Sequence, residues 1–303
     1  CEVQSLVVVS KKISQVMIKR NNQTYSLKAD AVILAAGALE TPRILFRSPS
    51  EENANGIANS SGQVGKNLMR HLIDLYVLDA KAIKSDGSIK QIAFNDFYQL
   101  PEGKGGTVQS FGHMPPVKVI LQDIFRDLSF HSNIAKSVAQ LFTPFLKYFL
   151  NKTFSQSVVL ASIVEDSPCE SNQVLNTQDH TRFIYKIQDS DKKRLASMRI
   201  KLQTVFKSKL KIKVHGGEKN TLLAHACGTC RMGDNPKNSV VDKNGRAHDL
   251  ENLFIADASI FPTSLGVNPA LTIAANALRM ANEMTKVIPT ERAKTPRKIK
   301  ELA

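Results

Sequence analysis

Residues 225–233, HACGTCRMG, gather one imidazole and two thiols, and three chemistries suit that set. His225, Cys227 and Cys230 stand at the H-x-C-x-x-C spacing that zinc can use. A structural zinc needs further ligands, however, and Cys1 and Cys169 stand alone. The deaminase pattern H-x-E is not met. Covalent haem needs a His directly after the second Cys, where Arg231 stands. A redox couple could use Cys227 and Cys230 as C-x-x-C, but no thioredoxin-like βαβ pattern surrounds them. In the third chemistry His225 is a general base, suited by a pKa near neutrality, and the cysteines are small residues of a tight loop. No metal site is assigned.

The elements around this run must position it. Residues 31–34 form a short apolar strand that enters Ala35-Ala36-Gly37 and then a helix over 39–48. That pattern predicts a strand buried on both faces of a layered α/β sheet, with small residues allowing close approach at its carboxyl end. Residues 53–70 are dense in Asn, Gly and Ser and read as a loop ending near His71. Residues 253–255, LFI, give a second short strand that runs into Ala256-Asp257-Ala258-Ser259. Asn268 then reads as an N-cap and Pro269 as a first helical residue. Leu271, Ala274, Leu278 and Ala281 are the expected packed face of the closing helix. Its N-terminus favours an anionic or electron-rich group. Between 72 and 223, strands at 157–165 and 182–187 and helices near 121–150 and 191–210 predict a mixed or antiparallel sheet with flanking helices. The expected division is 1–78, 79–220, 221–290 as a return segment, and a basic tail over 291–303.

The chain has 303 residues and a formal net charge of +14. A basic balance of that size raises nucleic acid or an anionic membrane as a partner. Its distribution argues otherwise: residues 191–220 hold ten Lys or Arg against Asp191 and Glu218, and residues 286–303 hold six against Glu291 and Glu301. In the first stretch Leu195, Met198, Leu202 and Val205 recur at helical spacing, which predicts a solvated basic face opposite them. Phe206 is the one aromatic there, too little for a base-stacking groove, so no nucleic-acid partner is assigned. No run of 18 apolar residues exists, so no transmembrane segment is expected. Residues 137–150 come nearest and read as a helix over a core or channel rather than a membrane-interface helix. A soluble, cytoplasmic protein is the expectation.

HACGTCRMG, with SVVD (239–242), NLFIADASIFPTS (252–264) and NPALTIAANALRMA (268–281), resembles the C-terminal signature region of the glucose–methanol–choline (GMC) flavin oxidoreductases. AVILAAGALETPRIL (31–45) and GQVGKNLMRH (62–71) resemble that family in the same order, and 165–175 does so more loosely. The resemblance implies FAD as cofactor and oxidation of a CH–OH donor, an alcohol or sugar, by hydride transfer. It makes His225 the base or hydrogen-bonding partner and Asn268 the second active-site residue. It sets Asp257 and Ala258 along the ribityl–phosphate chain, and Asn268, Pro269 and Ala270 at the pyrimidine edge. Ala36 and Gly37 fall on the adenine–ribose side, and His71 is a secondary candidate. An electron-acceptor protein or a quinone is an implied partner. The family's G-x-G-x-x-G turn is absent from these 303 residues. The expectation is an incomplete Rossmann-like FAD domain plus a substrate domain, or else a non-catalytic fragment or split-gene product that binds FAD only with an N-terminal partner chain.

Overall fold

A computed structural model describes residues 1–50, 54–79, 90–113, 121, 125, 132–154, 157–177, 180–214, 216–218, 223–287 and 300–301. It is a mixed α/β chain of two compact units. One comprises 1–71, 165–191 and 221–303, the other 72–164 and 192–220.

In the first unit, Glu2–Val9, Lys12–Arg20 and Gln23–Leu27 form an antiparallel meander that Lys300–Glu301 extends. The rest of the basic tail lies outside the described residues. The apolar run Val32–Leu34 pairs in parallel with Leu253–Ile255, in register Leu253 to Val32 and Ile255 to Leu34. Leu253, Phe254, Ile255 and Leu34 are buried, but Ile33 is 53% exposed. Central parallel strands are normally covered on both faces, so one face of this pair lacks cover among the described residues. The helix Gly37–Phe46 follows the first of these strands directly.

The closing helix runs Ala270–Val287. The Pro269 carbonyl accepts the Ile273 N–H at 2.8 Å, so Pro269, and not Asn268, holds the capping position. The packed face is also not the expected one. Met280 and Met284 are buried and Ile273 packs against the core, whereas Leu271 is 82% and Leu278 70% exposed. Two apolar stripes run along this helix, and spacing alone cannot say which meets a core.

Residues 165–191, expected with the second unit, are stitched into the first. Leu68 N donates to the Asn172 carbonyl, Val174 N to the Gly65 carbonyl, and Arg70 N to the Asp166 carboxylate. The same bonds explain why the first break falls at 71 rather than 78. The strand expected over 182–187 shortens to Phe183–Ile184.

The second unit is built on an antiparallel sheet. Its order is Leu210–Val214, Leu72–Asp79, Ser157–Val164, Gly106–His113, Ala93–Phe94. Leu195, Met198 and Leu202 of the helix Asp189–Phe206 are buried as the spacing predicts, but Val205 is exposed. The basic face is not wholly solvated either: Arg199 forks onto the buried Asp74 at 2.7 and 3.2 Å. Helices Asn133–Leu141 and Thr143–Phe154 divide at Phe142, with Pro144 in the first turn of the second. Leu141, Phe145, Tyr148 and Phe149 are exposed, so this pair does not cover a core among the described residues. The remainder of the helical stretch expected near 121–150 lies outside them, apart from 121 and 125.

Candidate functional site

HACGTCRMG is a backbone ladder held from two sides. Gly228 N, Cys230 N and Met232 N donate to the carbonyls of Ala258, Ser259 and Ile260 at 3.1, 2.8 and 2.7 Å. On the other side Met69 and Cys227 exchange both backbone hydrogen bonds at 3.0 Å. Gly228 sits at φ +90, and a Cβ there would stand 2.5 Å from the Asn67 carbonyl oxygen and 2.5 Å from the Met69 methyl. Only glycine fits. Cys227 and Cys230 are buried, and burial pushes both thiols up, away from the thiolate that redox or metal chemistry needs. They are packing residues.

His71 N donates to the Ala224 carbonyl at 3.0 Å. Between that bond and the Met69–Cys227 pair, Arg70 on one strand faces two residues, Ala226 and His225, on the other. The extra residue is a bulge. His225 takes it up in the left-handed region, φ 61, and a bulge of this kind re-aims a side chain. The His225 ring is aimed at His71. Nδ1 meets Nδ1 at 2.8 Å, with the rings edge-on and their centroids 4.8 Å apart. His71 Nε2 reaches the Ser264 carbonyl at 2.8 Å. His71 is 2% exposed. Burial lowers its pKa first, and the neighbouring His225 adds to the lowering against the bond to Ser264. Ser264 is itself fixed, accepting Asp166 N at 2.8 Å on Oγ.

The second cluster lies at the carboxyl ends of the parallel strands. Asp257 receives Gly37 N at 2.9 Å and the Thr41 hydroxyl at 2.6 Å on one oxygen, and Ser259 N at 2.8 Å on the other. One carboxylate thus ties together the turns that follow both strands. Gly37 has φ +84, and a Cβ built there meets nothing within 4 Å. The Ala36 side is exposed as well. An open hollow above a glycine turn, at the carboxyl ends of parallel strands, fits the edge of a dinucleotide such as FAD.

Two models of one family, described as GMC oxidoreductase, match residues 1–73 and 172–277, together more than half of the chain. The chain belongs to the GMC oxidoreductase family. A 2-methyl-1,2-propanediol dehydrogenase of Mycolicibacterium austroafricanum is 26% identical over 88% of the chain and 50% of its own length. A fructose dehydrogenase large subunit of Gluconobacter japonicus is 26% identical over 86% and 48%. The chain therefore spans about half the length of these curated relatives. A formate oxidase structure from Aspergillus oryzae aligns over 95% of the chain and 61% of its own, at TM-score 0.62 and 16% identity. That likeness shows the GMC fold.

Within this GMC chain, the residues singled out by sequence fall in different settings. His225 bonds His71, and His71 binds the Ser264 carbonyl, four residues before Asn268 in the chain. Asn268 is half-buried, and among the described residues no hydrogen bond reaches its side chain. Asp257 binds its own chain with both oxygens, so its part is to hold the Gly37 turn. Ala258 is buried and offers its carbonyl to Gly228. Pro269 is buried and Ala270 exposed at the helix start. Sequence reasoning missed Thr41 and Asp166, for neither motif nor spacing marks them. His180 is exposed and His248 binds the Ser239 hydroxyl at 2.9 Å, neither in this cluster.

Proposed function

We propose that this chain carries the proton-accepting site and one wall of the FAD site of an oxidoreductase that oxidises a CH–OH donor, an alcohol or sugar. The observation that carries the reading is His225, re-aimed by a bulge and bonded through Nδ1 to a buried second imidazole. A bound FAD supplies the hydride acceptor. The protein residues do the rest. His225 accepts the hydroxyl proton at Nε2 as the C–H bond breaks, a task suited to imidazole at neutral pH. Asn268 offers an amide to orient the substrate oxygen as charge develops on it. Asp257 holds the Gly37 turn open, and Ala36, Gly37, Ala258 and the start of the closing helix, Asn268 to Ala270, line the cofactor's path. The alcohol and sugar dehydrogenases among the relatives support the donor class, and FAD modification in the Aspergillus formate oxidase supports the cofactor. Reoxidation of the flavin by a protein or quinone acceptor belongs to the same proposal.

In a flavin-loaded form, His225→Ala is expected to cut turnover by about 10²–10⁴-fold while retaining FAD. Near-normal turnover would place the base elsewhere.

A second reading is favoured by the bare apolar surface at Ile33, Leu271 and Leu278. In it the chain binds FAD only together with a partner chain that covers this surface. Flavin absorbance of the purified chain decides: one FAD per chain sinks the second reading, and FAD retained only after a complementary chain is added upholds it.

A further inference from the structure

The hydrogen bonds around His71 carry more than proximity. A backbone carbonyl can only accept, so the 2.8 Å contact between His71 Nε2 and the Ser264 oxygen requires the proton to sit on Nε2. His71 is buried at 2% exposure, and among the described residues no carboxylate bonds to its ring, so the neutral ring is the form this setting favours. A neutral imidazole protonated at Nε2 has a bare Nδ1, which must accept. The partner at 2.8 Å is His225 Nδ1, which must therefore donate. Neutral His225 is left with its lone pair on Nε2.

We infer that His71 is a positioning residue that sets the tautomer of His225, holding the proton on Nδ1 and the lone pair on Nε2. The inference rests on the proposed role of His225 as base and explains how one ring nitrogen is chosen. Free imidazole side chains populate both tautomers, and a base that carries its proton on the wrong nitrogen is inactive however well placed. The chain runs in one direction: Ser264 carbonyl, His71 N–H, His71 lone pair, His225 N–H, His225 lone pair. When His225 takes the substrate proton at Nε2, the resulting cation strengthens its Nδ1–H bond to neutral His71, which stabilises the charged base. Ser264 is anchored by Asp166 N and His71 by Ala224, so the first two members of the relay are braced.

The test reads the protons directly. The full chain is labelled with ¹⁵N-histidine, and long-range ¹H–¹⁵N correlations report which ring nitrogens carry hydrogen at pH 8. Loss of one ring's signals in His71→Asn and in His225→Gln assigns the pair. The expected result is opposite tautomers, Nε2–H for His71 and Nδ1–H for His225. His225 protonated on Nε2, or His71 on Nδ1, overturns the inference even if no variant is made. In His71→Leu the His225 signals are expected to move toward the Nε2–H tautomer. In His71→Asn, whose side-chain oxygen can still accept from Nδ1–H, they are expected to stay. Unchanged His225 signals in His71→Leu, with a folded spectrum elsewhere, also overturn it. In flavin-loaded enzyme, His71→Leu is expected to lower kcat on the order of 10–100-fold with KM little changed, and His71→Asn to recover most of it. If His225→Ala stays active while the tautomers are as stated, the positioning relation stands and the catalytic reading fails. If His225→Ala is inactive and the tautomers are reversed, the opposite holds.

Discussion

The two halves of the site in the first unit are finished to different degrees. The histidine half is closed: His71 and Cys227 are almost fully buried, and every step from Ser264 to His225 is hydrogen-bonded. The half toward the proposed cofactor is open. Gly37 faces open space, Ala36 is exposed, and Ile33 and Leu271 of the same unit are bare. The histidine pair is held by the chain's own hydrogen bonds, whereas the Gly37 turn borders open space. A bulge, a glycine ladder and two imidazoles need no outside partner to hold their geometry.

Mutations can break or sharpen that contrast. The largest effect is expected at Gly228→Ala, where the added methyl collides with backbone at a left-handed φ. A loss of about 3 kcal/mol or more in denaturant unfolding is expected, and a loss below 1 kcal/mol would show that the ladder is looser than its contacts imply. Asp257→Ala comes next. It leaves the N–H groups of Gly37 and Ser259 without their acceptor and should cost about 2–3 kcal/mol. It should also weaken FAD retention, because the turn it holds borders the hollow.

Asp166→Asn probes the brace behind Ser264. Burial, with Asp191 nearby, raises the Asp166 carboxyl from 3.8 to about 7 despite its bonds from Arg70 N and Tyr185. A folded-state pKa above the unfolded one means that stability falls as pH rises from about 4 to about 7. The asparagine should remove that fall, for a relative gain on the order of 1–3 kcal/mol at pH 8. His71 acts in the other direction: its lowered pKa costs stability as pH drops below 6.5. Urea midpoints of the variant should therefore decline only on the acid side. A midpoint that keeps falling from pH 5 to 8 would contradict this assignment. The smallest effect on folding is expected at Gly37→Ala. Its Cβ meets no atom, so only the positive φ is penalised, at about 1 kcal/mol. FAD retention should drop further than stability does. Equal loss of both would mean that the hollow is not the cofactor's edge.

The parallel strand pair was legible because Val32–Leu34 and Leu253–Ile255 are short apolar runs ending in small residues. The basic helix was legible through Leu195, Met198 and Leu202. The closing helix was legible in extent but not in facing, since both of its apolar stripes satisfy the same period. The pairing of His71 with His225 spans 154 residues and leaves no trace in spacing; the motif ending in His71 was its only signal. The place of residues 165–191 was hidden for a similar reason, because single hydrogen bonds from Leu68, Arg70 and Val174 decide it rather than any periodic pattern.

The bare stripe on Ala270–Val287 and the exposed Ile33 have a consequence for the molecule in solution. Val32–Leu34 has one strand partner among the described residues, whereas the far edge of Leu253–Ile255 is bonded to 245–247, with Ala247 N donating to the Leu253 carbonyl and Ile255 N to the Gly245 carbonyl. Unpaired edges and contiguous apolar surface recruit other chains. At high concentration the chain by itself is expected to self-associate through its exposed leucines and the outer edge of Val32–Leu34. Its light scattering should rise steeply with protein and fall when Leu271 and Leu278 are both made polar, with His71 and His225 untouched.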